Sequence, residues 1–316
     1  MPVFTKLLFA GSGHTDESVA LKQALSIARN GNGQLEALVV CPEFPSALQS
    51  HSRIYEKILQ DRMSAALAAA RSALGMSAGD MPVAITVLQS NKPAVAMIRH
   101  ALRQECDLVV KSADAADAGF AVTDMELLRK CPVPLWLCRP IERHRAQIRV
   151  AVAVDPQDQA GVARALSVSL LQQARMLADT ADGALSVVAC HDFGFGDFIR
   201  DTAHLFGASD VAIEPGQVES LQAQDMQAHR AQLDALVAAS GIGGKIDVQH
   251  LRGRPEEAIP QFIKAQEIDI LVMGTVARTG IAELLVGNTA ESIVKDIPCS
   301  LLALKPEGFA SPVKPV

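Results

Sequence analysis

Aromatic side chains are scarce: Phe, Tyr and Trp make up 4% of the 316 residues, with one Trp and one Tyr. The core must therefore be built from Ala, Val, Leu and Ile, a mix that suits helices packed on a parallel sheet. Basic excess is lacking too. The formal net charge is −6 and no basic face is evident, which argues against a nucleic-acid partner. No apolar run approaches the roughly 20 residues that span a bilayer. The first ten residues read as a short strand without cleavable-signal character, so the expected location is the cytoplasm. The six cysteines include no C-x-x-C pair and mostly lie in apolar runs, as small buried hydrophobes of a reducing compartment do. Cys190-His191-Asp192 comes nearest to a ligand triplet, but neighbours on a strand point to opposite faces. No metal-ligand spacing, carboxylate pair or spaced Ser/His/Asp set emerges, so no catalytic residue and no structural metal is expected.

What the chain does have is length and repetition. At 49% hydrophobic it can build two domains of about 150 residues each. The halves read in the same order. Each opens with a strand (Lys6–Gly11; residues 149–154), followed by an amphipathic helix ended by Gly31-Asn32-Gly33 or Asp182-Gly183. A second strand, a long excursion, an Ala-rich helix and a third strand come next. Short turns, Asn91-Lys92-Pro93 and Gly253-Arg254-Pro255, then place Pro in a first helical turn. Pro93 to Pro255 and Asp107 to Asp269 both span 162 positions, whereas Pro140 to Pro306 spans 166. The first half thus lacks about four residues between its fourth and fifth strands. Strands alternating with helices predict parallel sheets with right-handed crossovers, whose ligands bind beyond the carboxyl ends of the strands. The expected fold is α/β: two tandem doubly wound five-stranded parallel-sheet domains, Rossmann-like, at 1–140 and 147–306.

One segment is dense with signal. A buried-strand run from Asp269 ends at Gly274, a loop of small and polar residues follows, and Gly287 opens a helix. Glycines there let backbone N–H groups approach an anion, and a helix N-terminus favours negative charge. In the first half Ser112 stands where Gly274 stands in the second, Ser12 stands where Asp155 stands, and residues 113–117 contain no glycine.

With Val152-Ala153-Val154-Asp155, Gly253-Arg254-Pro255, the run from Gly274 through Val286-Gly287-Asn288-Thr289-Ala290-Glu291, and Leu127-Leu128-Arg129-Lys130-Cys131-Pro132, nearly the whole chain resembles the universal stress protein family, specifically its tandem two-domain E-type members. ATP-binding members carry Gly, two residues, Gly, nine residues, Gly, then Ser or Thr. Here Gly274 and Gly287 fit the first and third glycines, Ala277 takes the second, and Asn288 followed by Thr289 takes the last position. The resemblance implies that Asp155 contacts adenine or ribose and that backbone near Val188 holds the base edge. It implies that amides around Gly274 and Gly287, the Asn288 and Thr289 side chains, and Arg278 meet phosphates. ATP or AMP is the implied cofactor, with no metal beyond the Mg accompanying ATP. Family members pair through their fifth strands, so residues 134–138 should meet Ser300–Leu304 in an intrachain pseudo-dimer; a homodimer of the whole chain is compatible with this.

Alternatives stay open at this point. Gly274 and Gly287 also suit a strand-to-helix turn and a helix cap without ligand. Asp155 also suits an N-cap, and Arg278 a solvated loop charge. Arg252 and Arg254 read either as neutralising an anionic ligand or as surface charges. His14-Thr15-Asp16 reads as helix-capping chemistry. Five of the ten Phe, including Phe44, Phe193, Phe195, Phe198 and Phe206, fall in the two strand-two excursions. They suit a satellite core, or a surface for a protein or apolar small molecule, so the second functional reading is a non-nucleotide stress scaffold. A third, an adenylating enzyme, would need a phosphate loop near the first strand that Asp155-Pro156-Gln157-Asp158 does not provide.

Overall fold

The computed structural model describes residues 4–77, 79–114, 119–157, 161–194, 215–275 and 287–315. Strand β1 (Lys6–Gly11) buries five of its six residues, as a continuous apolar run covered on both faces must. Helix α1 (Ser18–Asn30) buries Ala20, Leu21, Ala24, Leu25 and Ala28 along one stripe. The first half continues as β2 (Gln34–Cys41), α2 (Ser52–Ala73), β3 (Ala84–Gln89), α3 (Pro93–Arg103), β4 (Leu108–Ser112), α4 (Val122–Lys130) and β5 (Leu135–Cys138). The second half repeats it as β6 (Arg149–Ala153), α5 (Gly161–Ala181), β7 (Ala184–His191), α6 (Pro215–Ser240), β8 (Ile246–Arg252), α7 (Pro255–Ala265), β9 (Ile270–Gly274), α8 (Asn288–Asp296) and β10 (Ser300–Leu304).

The strands form one sheet in the order β3-β2-β1-β4-β5-β10-β9-β6-β7-β8. Pairs within each half are parallel. The halves meet through antiparallel β5 and β10, with Leu137 opposite Leu301 and Trp136 opposite Leu302. The two predicted five-stranded sheets are thus halves of a ten-stranded one, joined by the fifth-strand pairing the family resemblance implied. Pro134 is tolerated at this seam because it precedes β5 and contributes only its carbonyl, which accepts from the Val109 amide at 3.0 Å.

Alternate strand residues feed two cores. Leu7 and Phe9 point to the face covered by α1, α2, α5 and α6; Leu8 and Ala10 point to the face covered by α3, α4, α7 and α8. Each core contains residues of both halves. Asp107 and Asp269 have the same task in the two halves. Asp107 accepts from the Thr5 and Lys6 amides at 2.7 and 3.0 Å, and Asp269 from the Arg149 amide at 2.9 Å. Their 162-position spacing therefore reflects a repeated lock on the start of each first strand. The helix ends differ in detail from expectation. The left-handed residues are Asn32 (φ 50°) and Asp182 (φ 55°) rather than glycine. Gly183 is instead required by close approach, since a Cβ there would lie 2.3 Å from the Ile148 carbonyl oxygen.

Candidate functional site

In each half the topological switch falls between the first and fourth strands: β1 beside β4, and β6 beside β9. The carboxyl ends of those pairs are where such a sheet binds ligands. In the first half this crevice is already filled. Glu17, 4% exposed, turns its carboxylate back to accept from the Ser12 amide at 2.9 Å and the Gly13 amide at 3.2 Å. A Cβ on Gly11 would lie 2.6 Å from Glu17 Oε2, so glycine at the end of β1 makes room for this internal anion. Burial raises the Glu17 pKa, opposed by the two amide hydrogen bonds and by the Lys111 ammonium. Lys111, at the end of β4 and 3% exposed, pairs with Asp114 at 2.6 Å and with fully buried Asp124 at 2.9 Å. Asp124 also accepts from the Asp114 amide at 2.9 Å. Burial raises the Asp124 pKa as well, with Lys111 opposing.

The second half replaces every member of that set. In matching positions Asp155 follows β6 where Ser12 follows β1, Met273 takes the place of Lys111, Gly274 of Ser112, and Ala290 of Asp124. Ala160 stands as far beyond Arg149 as Glu17 stands beyond Lys6. Asp155 is partly exposed, and its Oδ1 accepts from the Gln157 amide at 2.9 Å, closing a local turn. A Cβ on Gly274 would press on Leu166 Cδ2 at 3.0 Å, so this glycine also serves packing of α5 on the sheet.

Past β9 the chain is pinned at a neck. The Thr275 amide donates to the Leu304 carbonyl at 3.3 Å, and the Thr275 carbonyl accepts from the Gly287 amide at 3.1 Å. Fully buried Thr275 also accepts at Oγ1 from Lys305 Nζ at 2.7 Å. Lys305 donates further to the Leu128 carbonyl of the first half at 2.6 Å and lies 4.8 Å from the centre of the Phe309 ring. Burial lowers its pKa to about 8. Gly287 caps α8 without a side-chain cap bond, and Asn288 and Thr289 are exposed on its first turn. The same turn holds Glu291, paired with Arg129 of α4 at 2.6 Å and with Lys295 at 3.1 Å.

The universal stress protein family matches residues 4–139 and 200–305. The chain belongs to the universal stress protein family. It is 26% identical to Universal stress protein E of Escherichia coli K12, over 99% of this chain and 98% of that protein. It is 32% identical to a Universal stress protein E homolog of Haemophilus influenzae over 59% of this chain and 57% of that one. Among solved structures, a protein of unknown function from Pseudomonas aeruginosa PAO1 superposes with a TM-score of 0.68 at 22% identity, covering 97% of this chain and 94% of its own. A universal stress protein from Archaeoglobus fulgidus gives 0.57 at 16% identity, covering 95% and 98%. These two share the fold.

In this universal stress protein, Asp155, Gly274, Gly287, Asn288 and Thr289 all lie at the carboxyl edge of the second-half sheet or on the helix that follows it. Val188 lies in β7. Its carbonyl accepts from the Val154 amide at 3.0 Å, so that group serves the β6–β7 junction. Ala277, Arg278, Phe195, Phe198 and Phe206 lie outside the described residues. Asp16 does perform local capping, accepting from the Ser18 amide at 2.9 Å. Among the described residues no cluster of His, Cys, Asp and Glu could hold a metal, and no helix is long and apolar enough to cross a membrane. Glu17, Lys111, Asp124, Thr275 and Lys305 were not singled out by motif. The available signal was comparison of the halves position by position: a buried-strand lysine opposite a methionine is a marked substitution between two copies of one fold.

Proposed function

We propose that the second half binds an adenine nucleotide, ATP or AMP, as its contribution to a stress response, and that no robust catalysis accompanies binding. The observation that carries this reading is the filled crevice of the first half. There the loop after the first strand presents two backbone amides to a carboxylate, which demonstrates that the shape of this loop suits an anionic or polar oxygen. The second half has the same strand order, and its sequence has Ala160 at the position matching Glu17. Asp155 would meet adenine or ribose. The Gly287 cap and the Asn288 and Thr289 side chains, at the positive end of α8, would meet phosphate. Mg would accompany ATP on the phosphate side. Backbone near Val188 would hold the base through groups further along β7 than the Val188 carbonyl.

The test starts with purified protein. Heat denaturation should release ATP or AMP, identified by chromatography, or titration of ATP should raise the melting temperature of a nucleotide-free preparation. Asp155→Ala and Gly287→Val should each weaken binding at least tenfold while the first half stays folded. Absence of both co-purified nucleotide and thermal shift would sink the reading.

A further inference from the structure

A second concave surface lies along α3 and shares no lining residue with the Glu17 crevice. A cavity of about 770 Å³ runs along α3, within the range of small-molecule sites. Lys92, Arg99, Arg103 and Lys130 line it, against one lining carboxylate, Glu43. In a chain of net charge −6 this is a local reversal of sign. Lys92, Arg99 and Arg103 follow one another at spacings of seven and four, which places them on one face of the helix over about 16 Å. The positive end of the helix dipole at Pro93 adds to the Lys92 end. Among the described residues neither Lys92 nor Arg99 has an ion-pair partner. Leu88, Val95, Ala96 and Val313 supply apolar wall between the charges.

Two further observations separate this surface from an ordinary solvated face. The first is the internal control given by the duplication. The positions matching Lys92, Arg99, Arg103 and Lys130 in the second half are Arg254, Gln261, Ala265 and Asp296. The fold therefore does not need the cluster; in the second half only Arg254 is basic, and it is paired with Glu256. The second is the wall contributed by the chain's last segment. Pro312 and Val313 close one side, and the segment is fixed there by Ser311 Oγ donating to the Lys130 carbonyl at 2.7 Å and by Arg103 Nε donating to the Pro315 carbonyl at 2.7 Å. Val313 is buried in the process.

We infer that this cavity binds an elongated small molecule bearing at least two phosphoryl groups, held by Lys92 and the α3 terminus at one end and by Arg99, Arg103 and Lys130 at the other. Guanidinium forks match phosphoryl oxygens bidentately, and the spread of cations along the helix favours separated anionic groups over a single compact one. The site is independent of the nucleotide reading for the second half.

Inorganic tripolyphosphate and orthophosphate serve as probes, titrated calorimetrically into the full chain at low salt. Wild type should bind tripolyphosphate at least tenfold more tightly than orthophosphate. The double variant Lys92→Gln/Arg99→Gln, both exposed, should lose at least tenfold of that affinity with its melting temperature unchanged, and Lys130→Gln should lose part of it. Asp155→Ala and Gly287→Val should leave this component intact. Wild-type binding no tighter than for orthophosphate, equal binding by the double variant, or loss in Gly287→Val alone would overturn the inference.

Discussion

Glu17, Lys111 and Asp124 form a closed charge set in which each member depends on the others. Lys111 sits within 2.9 Å of a fully buried Asp124, and Glu17 is held on two amides nearby. Removing one partner from a buried pair strands a charge, which costs about 3–5 kcal/mol, whereas replacing the whole set by apolar groups is often neutral. Lys111→Met alone should therefore destabilise the protein by that amount in urea titration. The triple change Glu17→Ala/Lys111→Met/Asp124→Ala, which copies the second-half residues, should recover most of the loss. A triple variant no more stable than the single one would show that the set is not interdependent. A second cluster runs the other way. His229 lies between His191 and His250, with ring centres 5.1 and 5.8 Å apart, where the first half has Met63, Cys41 and Val87. Asp225 pairs with His191 at 2.7 Å. Burial, then the neighbouring His191 and His250, lowers the His229 pKa; burial, then Arg230, lowers that of His250, with Asp234 opposing. A histidine whose folded pKa lies below its unfolded value leaves stability unaffected above the unfolded pKa of 6.5 and diminishes it as pH falls below that. The urea midpoint should drop between pH 7.5 and pH 5.5, and His229→Met should flatten that dependence; an unchanged slope in the variant would exclude the cluster as its source.

At the scale of elements, most of the architecture was readable because buried parallel strands are continuous apolar runs. Lys6–Gly11 and Ser300–Leu304 match their predicted ends, and the strands expected at 149–154 and 134–138 are each one residue shorter. The ladder also continues past the apolar run at Arg252, whose backbone pairs with His191 although its side chain is charged. The candidate site was harder to read. Gly274 and Gly287 were visible as glycines, but the neck that joins Thr275 to Gly287 and to Lys305 is made by backbone and buried polar groups with no motif of their own. Gly119 shows the same limit. It has φ +60°, and a Cβ there would lie 2.4 Å from the Lys295 carbonyl oxygen of α8, so the loop before α4 touches the other half through a glycine. Gly119→Ala should destabilise by roughly 2 kcal/mol or more, from left-handed strain plus the backbone clash. Thermal denaturation would measure it, and a neutral substitution would mean that this contact does not hold the halves together.

For the whole molecule, the consequence of fifth-strand pairing is a single ten-stranded sheet with cores that cross the seam. The one tryptophan, Trp136, is buried in β5 opposite Leu302. Its fluorescence reports the seam, while far-ultraviolet circular dichroism reports all helices. With both cores shared, the two signals should follow one transition on unfolding; separate midpoints would show halves that unfold independently. The duplication then acquires a division of labour: a first half closed by its own charges, and a second half with Ala160, Met273 and Ala290 at the positions matching Glu17, Lys111 and Asp124. The most direct measurement is the stoichiometry of ATP binding by calorimetry, in wild type and in Ala160→Glu, which sets a carboxylate where Glu17 stands in the first half. The account predicts a single nucleotide per chain for wild type and at least tenfold weaker binding for the variant. Two nucleotides per chain, none, or undiminished binding by Ala160→Glu would contradict it.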